Sequence, residues 1–381
     1  MRIAFYAPLK PPTAPSPSGD RHMARLLMRA LTAGGHQVEL AAIFRSRDGD
    51  GNALRQARLG ELGGRLAHRL VERYGRRPRD ARPGTWFTYH LYHKAPDWLG
   101  PAVSDALGIP YVVAEASFAP KRKGGKWALG HEAAGRAIRR ADAIIGLNSN
   151  DAPCVLPLLD DPRRLFAMRP FTETAPFAAA AAESSGHRQA IRAAFGLDVG
   201  VPLLLAVAMM RSGDKVESYK VLGTALATLD DIPWQLLVVG DGPSRTAVEA
   251  ALADGRVRYA GELPPEQLAP VYAAADLLVW PAAREAYGMA ILEAQAAGVP
   301  VVAGDSGGVG DIVTHGETGL LTAAGDAAAL ADAVRTLLAD PGRRADMGRR
   351  AGETARREHT IEAAAARLNQ ALAAAGGAVG R

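Results

Sequence analysis

The stretch PAAREAYGMAILEAQAAGVPVVAGDSGGVGDIV, residues 281–313, reads as the end of a strand, a loop, a helix, a second strand and a second loop. Pro281 stops an apolar run, Gly288 lets the chain turn, and residues 289–297 follow with helical character before the β-branched run at 299–304. A helix that begins straight after a strand leaves its first N–H groups without partners inside the helix, so this one opens on a seat for an anion. Glu285 stands just before that helix and Glu293 about a turn along it. Two carboxylates placed in this way suit hydroxyl groups on either side of a diphosphate. The plainer alternative is a solvated helix start, where glutamate is favoured for its charge alone.

Outward from this stretch, short apolar runs alternate with helical patterns in both directions. Runs at 203–209, 235–240, 256–261, 276–281 and 299–304 mark the second half, and runs at 3–6, 38–43, 111–113 and 143–147 mark the first. Such alternation implies parallel sheets, and a chain of 381 residues suits two cores rather than one. The expected organisation is an N-terminal Rossmann-like domain over 1–175, a linker over 176–187, a C-terminal Rossmann-like domain over 188–358, and a final helix over 359–381 packing across the interface. The linker is placed where Pro, Ala and Ser gather between Pro176 and Gly186. Each half is a doubly wound α/β domain. Ligands of such domains bind beyond the carboxyl ends of the strands, so the two binding edges are expected to face each other across a cleft.

Composition removes several classes. Hydrophobic residues make up 48% and charged ones 22%, and no apolar stretch approaches the roughly 18 residues of a membrane helix. The opening run 3–9 is too short for the apolar core of a signal peptide, and the single Cys154 excludes an internal disulfide framework; both fit a cytoplasmic protein. No fixed-period repeat is present, and nothing points to nucleic acid. The net charge of +5 is local: Arg55, Arg58, Arg65, Arg69, Arg73, Arg76, Arg77, Arg79 and Arg82 crowd one segment. Leu59, Leu62, Leu66 and Leu70 recur there at helical spacing. That helix either rests its basic face on anionic lipid headgroups, as a peripheral contact, or packs its leucines inward and leaves the arginines solvated.

With its surroundings, EAYGMAILE (285–293) resembles the donor-site motif of the retaining glycosyltransferases of family 4, a glutamate, seven intervening residues and a second glutamate. The resemblance extends through VVGDGPSR (238–245), the run 256–282, AGVPVVAGDSGGVGDIV (297–313) and GETGLL (316–321), in the family's order. It implies the GT-B architecture, two Rossmann-like domains with the nucleotide diphosphate sugar in the C-terminal one and a carbohydrate or lipid-linked acceptor mainly in the N-terminal one. It also implies no cofactor and no essential metal. By that resemblance Glu293 would hold the donor ribose, Glu285 the transferred sugar, and the amides near Gly288, Met289 and Ala290 the sugar or phosphate, with Gly240 and Gly242 in the donor-side loop.

The family also carries an arginine and then a lysine after the first strand of its donor domain, and fixed cations there would stabilise a departing diphosphate. Here the text is VAMMRSGDKVESYK (207–220), so Arg211 takes the first place, and Lys215 takes the second by spacing with Lys220 as the alternative. On the acceptor side, family members show a glycine pair where this chain reads Ser18-Gly19-Asp20. Gly19 keeps the close backbone approach, and Asp20 is either an acceptor-binding group or, with Ser18, a helix cap. Many members present a histidine near the place that reads Glu115-Ala116-Ser117; this chain has none there, and Glu115 and His93 are the candidates to stand in.

Two other motifs are set aside. Asp48-Gly49-Asp50 has the aspartate spacing of the metal-binding glycosyltransferase fold without its flanking strands, and Gly240-Asp241-Gly242 begins a dinucleotide fingerprint whose third glycine is replaced by Arg245. The function expected is retaining transfer of a sugar from a nucleotide diphosphate to an acceptor hydroxyl in glycan, glycolipid or polysaccharide synthesis. The rivals are a nucleotide-sugar epimerase on the same fold and a non-catalytic nucleotide-sugar binder.

Overall fold

A computed structural model describes residues 1–16 and 18–379, which form two compact units. Unit 1 takes Met1–Met168 together with the segment from Ile361, and unit 2 is Arg169–Thr360. Unit 1 holds β1 (Arg2–Tyr6), β2 (Gln37–Ala42), β3 (Thr85–Leu91), β4 (Tyr111–Ala116), β5 (Ala143–Gly146) and β6 (Leu165–Ala167). All pair in parallel in the order β2-β1-β3-β4-β5-β6. The chain steps from β1 to β2 on one side and then returns to place β3 on the other. That reversal opens a crevice at the carboxyl ends of β1 and β3.

Unit 2 repeats the design with β7 (Leu203–Val207), β8 (Gln235–Val239), β9 (Val257–Gly261), β10 (Leu277–Trp280), β11 (Val301–Asp305) and β12 (Gly319–Ala323). Their order is β12-β11-β10-β7-β8-β9, again all parallel, so the reversal falls between β7 and β10. The strands β7, β8 and β10 are almost wholly buried, as expected of parallel strands covered by helices on both faces. The chain thus has the α/β class expected, in two doubly wound units.

The sequence runs do not foretell β3, β6 and β12. β3, TWFTYHL, interleaves aromatic and polar residues, and its polar ones are satisfied within the core. Trp86 Nε1 donates to Thr88 Oγ1 at 2.9 Å, and Thr88 Oγ1 donates to the buried Asp97 at 2.5 Å. Tyr111 and the amides of Leu99 and Gly100 also donate to Asp97.

Where a linker is expected over 176–187, the chain is helical, through Thr174–Ala182 and Ser184–Phe195. Pro176 and Gly186 each fall in the first turn of a helix, where the N–H groups have no helical acceptor to lose. The final helix, Ile361–Val379, packs within unit 1 on the helix Gly19–Ala33. Leu368 and Leu372 are buried, Asn369 Nδ2 donates to Gly34 O at 3.1 Å, and Arg367 Nε donates to Ala167 O at 2.7 Å. The two places where the chain passes between units are tied together: Thr172 N donates to His359 O at 2.9 Å, and His359 Nδ1 donates to Pro170 O at 2.5 Å.

The arginine-rich segment forms the long helix Ala53–Gly75, capped by Asn52. Leu70 is buried and Leu66 packs against the unit 1 core, while Leu62 is 37% exposed. The leucine stripe therefore mostly serves its own unit, and the arginines face solvent. Among the described residues no helix is long and apolar enough to cross a membrane.

Candidate active site

In unit 2 the reversal of strand order brings two loops together. After β7 the chain runs through Arg211 into the helix Asp214–Leu226, and after β10 it runs through residues 281–287 into the helix Met289–Ala296. Lys215, in the first turn of the former helix, meets Glu285 in the loop that precedes the latter: Nζ donates to Glu285 Oε2 at 2.5 Å. Trp280 Nε1 donates to the same oxygen at 3.1 Å, and Lys215 Nζ lies 5.1 Å from the centre of the Trp280 ring. Both charged side chains are mostly covered, 17% and 16% exposed. An ammonium has three donors and a carboxylate two acceptors, so each keeps capacity for a ligand.

The backbone fixes this loop closely. Ala282 is left-handed (φ 46°), Ala283 N donates to Ser218 Oγ at 3.1 Å, and Glu285 N donates to Ser306 Oγ at 3.3 Å. Gly307 (φ 58°) is required beside it, because a Cβ there would sit 1.6 Å from Glu285 O. Gly288, also left-handed, caps the helix, and Met289 and Ala290 supply the first N–H groups beyond its ladder.

Glu293 lies about a turn in and accepts from Tyr272 Oη at 2.8 Å. Burial pushes its carboxyl up to about 7, against the lowering effect of the tyrosine hydrogen bond. Arg211 is exposed and, among the described residues, forms no ion pair. Lys220 pairs with Glu217 at 2.9 Å on the solvent face of its helix, away from Glu285. Gly240 and Gly242 have a local reason to be glycine. Their missing Cβ atoms would meet Ala208 O at 2.0 Å and Met210 O at 2.3 Å, so the loop after β8 lies directly on the loop after β7.

Unit 1 brings together a second group at the ends of β3 and β4. His90 and Glu115 are both left-handed, at φ 62° and 59°, a strained conformation for non-glycine residues. His90 Nδ1 lies 3.0 Å from Asp20 and 3.8 Å from Glu115. Burial opposes its charge, but Glu115, Asp20 and Asp151 together raise its pKa to about 9. Ser117 Oγ donates to Asp151 at 2.7 Å. Ser18 Oγ accepts from Arg21 N, so Ser18 is the helix cap and Asp20 is left to His90; Gly19 opens the helix with free space around it.

His93 is not with Glu115. It stacks edge-on against Tyr92 and Trp127, and burial with the nearby cations Arg122 and Lys94 depresses its pKa to about 4. It is a neutral imidazole and gains no second proton at ordinary pH. His90, which no motif singles out, holds the place beside Glu115; its only sequence signal is its position at the end of an aromatic strand. Asp48 is a buried scaffold group, accepting from Asn52 N at 2.8 Å and Gln56 Nε2 at 3.0 Å.

Two parallel doubly wound sheets, each with charged side chains at its switch point, define a protein of the GT-B fold. Residues 188–354 match the family model described as glycosyl transferases group 1. A D-inositol 3-phosphate glycosyltransferase of Rhodococcus erythropolis is 30% identical over 244 residues, covering 60% of this chain and 53% of that protein. The enzyme of the same name from Corynebacterium efficiens is 40% identical over 173 residues, covering 42% of this chain and 41% of its own length. The chain spans about half the length of the curated relatives it matches. The Anabaena protein HepE, solved in complex with UDP and glucose, superimposes with a TM-score of 0.70 at 16% identity, covering 97% of this chain and 99% of that one.

Proposed function

We propose that the chain transfers a glycosyl group from a nucleoside diphosphate sugar to an acceptor hydroxyl, with retention at the anomeric carbon. The observation that carries this reading is the Lys215–Glu285 pair at the unit 2 switch point, standing just before a helix whose first amides are open. The diphosphate would rest on those amides, with Lys215 and Arg211 balancing the charge that grows on it as the glycosidic bond breaks. Glu285 would accept from the sugar hydroxyls and Glu293, about a turn inside the helix from Gly288, from the ribose. No step in this scheme calls for a metal, since the two cations meet the leaving charge. On retention, a donor phosphate oxygen would take the acceptor proton on the face where the bond breaks. The acceptor would lie in unit 1 near His90, where the carboxylate oxygens of Asp20 and Glu115 can accept from hydroxyls.

A thermal-shift panel of nucleoside diphosphates and their sugars tests the donor side. A ligand at 100 times its dissociation constant stabilises its host by about 2.7 kcal/mol. One base should stand out, and Glu293→Ala or Arg211→Ala should abolish the shift. Unchanged binding in both variants sinks the assignment. Product analysis with a candidate acceptor then separates transfer from epimerisation of the donor or from binding alone.

A further inference from the structure

Beyond the His90 group, the loops that leave β3 and β4 run on to a second cluster of the opposite charge. Ring contacts of 5.2, 5.3 and 5.5 Å lead from His90 through Tyr92 and His93 to Trp127. Three cations converge on that one indole: Lys126 Nζ at 4.4 Å from the ring centre, Lys94 Nζ at 4.7 Å and the Arg122 guanidinium at 5.2 Å. Among the described residues none of the three is paired with a carboxylate. The neighbouring acids are otherwise placed: Asp97 is buried and accepts from Thr88, Tyr111 and the amides of Leu99 and Gly100, Asp48 is buried and held by Asn52 and Gln56, and Glu132 pairs with Arg136.

A basic patch is ordinarily a solvated surface. This one is built. Trp127 Nε1 donates to Asp48 O at 3.0 Å, fixing the indole. Gln56 donates to Lys126 O and accepts from Gly130 N. Lys94 sits at the tip of a tight turn closed by hydrogen bonds between Tyr92 and Ala95, and its own carbonyl accepts from Asp48 N at 2.8 Å. The stem of Lys126 lies over Gly51, where a Cβ would come within 2.5 Å of its Cγ. Two buried nitrogens in the same place, Arg122 Nε and His93 Nε2, have no hydrogen-bond partner among the described residues. Buried polar atoms left unsatisfied are costly, and here both belong to side chains packed against the same indole.

We propose that this cluster receives a phosphomonoester carried by the acceptor, with Lys94, Arg122 and Lys126 as its ligands and Trp127 as the platform that holds them. The cations have the charge and donors that such a dianion requires, and the arginine has the fork that fits its oxygens. The aromatic path places the phosphate on the same sheet edge as the His90 group, which would take the reacting hydroxyl. The assignment to an acceptor rests on the glycosyl-transfer reading; the phosphate site itself does not.

The test is calorimetric titration of the full chain with inorganic phosphate in a phosphate-free buffer. Wild type should bind, and Arg122→Gln/Lys126→Gln should bind at least about tenfold more weakly. Arg122→Lys/Lys126→Arg should recover binding, which guards against loss of fold. Arg211→Gln/Lys215→Gln, on the donor side, should keep it. Sedimentation with phosphatidic acid vesicles, against phosphatidylcholine vesicles, tells the source: charge-dependent pelleting lost in the Gln pair assigns a lipid headgroup, and phosphate binding without pelleting assigns a soluble phosphomonoester. No binding by wild type, or loss only in the Arg211/Lys215 pair, overturns the proposal. Nucleoside diphosphate shifts measured on the same variants report separately on glycosyl transfer: their absence with phosphate binding intact defeats that reading and leaves the site standing.

Discussion

Replacing Glu293 by Gln isolates one proton. In the folded chain burial raises this carboxyl to about 7 from an unfolded value of 4.5. Between those values the folded state keeps a proton that the unfolded state has released, so stability falls as pH rises through that window and levels off above it. A tenfold change in proton affinity is worth about 1.4 kcal/mol, so the ionised, buried carboxylate destabilises the fold by about 3 kcal/mol at pH 8. Gln has nearly the same shape, still accepts from Tyr272 Oη, and has no proton to lose. The variant should match wild type at pH 4 and exceed it by up to about 3 kcal/mol at pH 8. Urea unfolding at a series of pH values reads the difference. A Gln-minus-wild-type difference that stays flat from pH 4 to pH 8 refutes the reasoning. The same proton gives a second readout. If ribose hydroxyls donate to Glu293, binding favours its ionised form, and calorimetry near pH 7 in buffers of different ionisation enthalpy should show proton release.

Other expectations follow from the same geometry. His90 gains its charge from Glu115, Asp20 and Asp151 after burial has opposed it, so its stabilising contribution is complete below pH 6.5 and lost as pH rises through about 9. His90→Gln should flatten the stability profile over that range, and an unchanged slope would count against the cluster. Gly307→Ala places a methyl against Glu285 O at a left-handed φ, so it should cost more than about 1 kcal/mol in urea unfolding and weaken nucleotide binding; Gly186→Ala, helical and in open space, should be neutral or slightly stabilising. Glu285→Gln and Lys215→Met should each lower turnover by about a hundredfold or more, and their double mutant should lose far less than the product of the two, as for groups that act together.

Most of unit 2 is legible in the sequence because β7 to β11 coincide with short, mainly apolar runs and the two glutamates of its site stand around one helix start. The meeting of Lys215 with Glu285 is not legible: the two follow strands brought together only by the reversal of strand order. Unit 1 is harder to read. β3 conceals itself because Thr88 is buried through hydrogen bonds to Asp97 and Trp86 rather than by being apolar, and with β3 unread, His90 has no strand end to stand on. His93, three residues on, looks equivalent in the text. Passing the end of the strand turns it toward Trp127 and the basic cluster, where burial and neighbouring cations remove its charge.

Unit 1 is not contiguous in the chain: its last helix, from Ile361, is separated from its sheet by the whole of Arg169–Thr360. On the ribosome all six strands of the first sheet emerge before the helix that covers Gly34 and anchors at Ala167 has been made. Synthesis normally favours completion of the N-terminal domain first. Here the order is inverted: unit 2 holds all of its residues by Thr360, while unit 1 must wait, with the bed for Leu368 and Leu372 uncovered, until the final segment is translated.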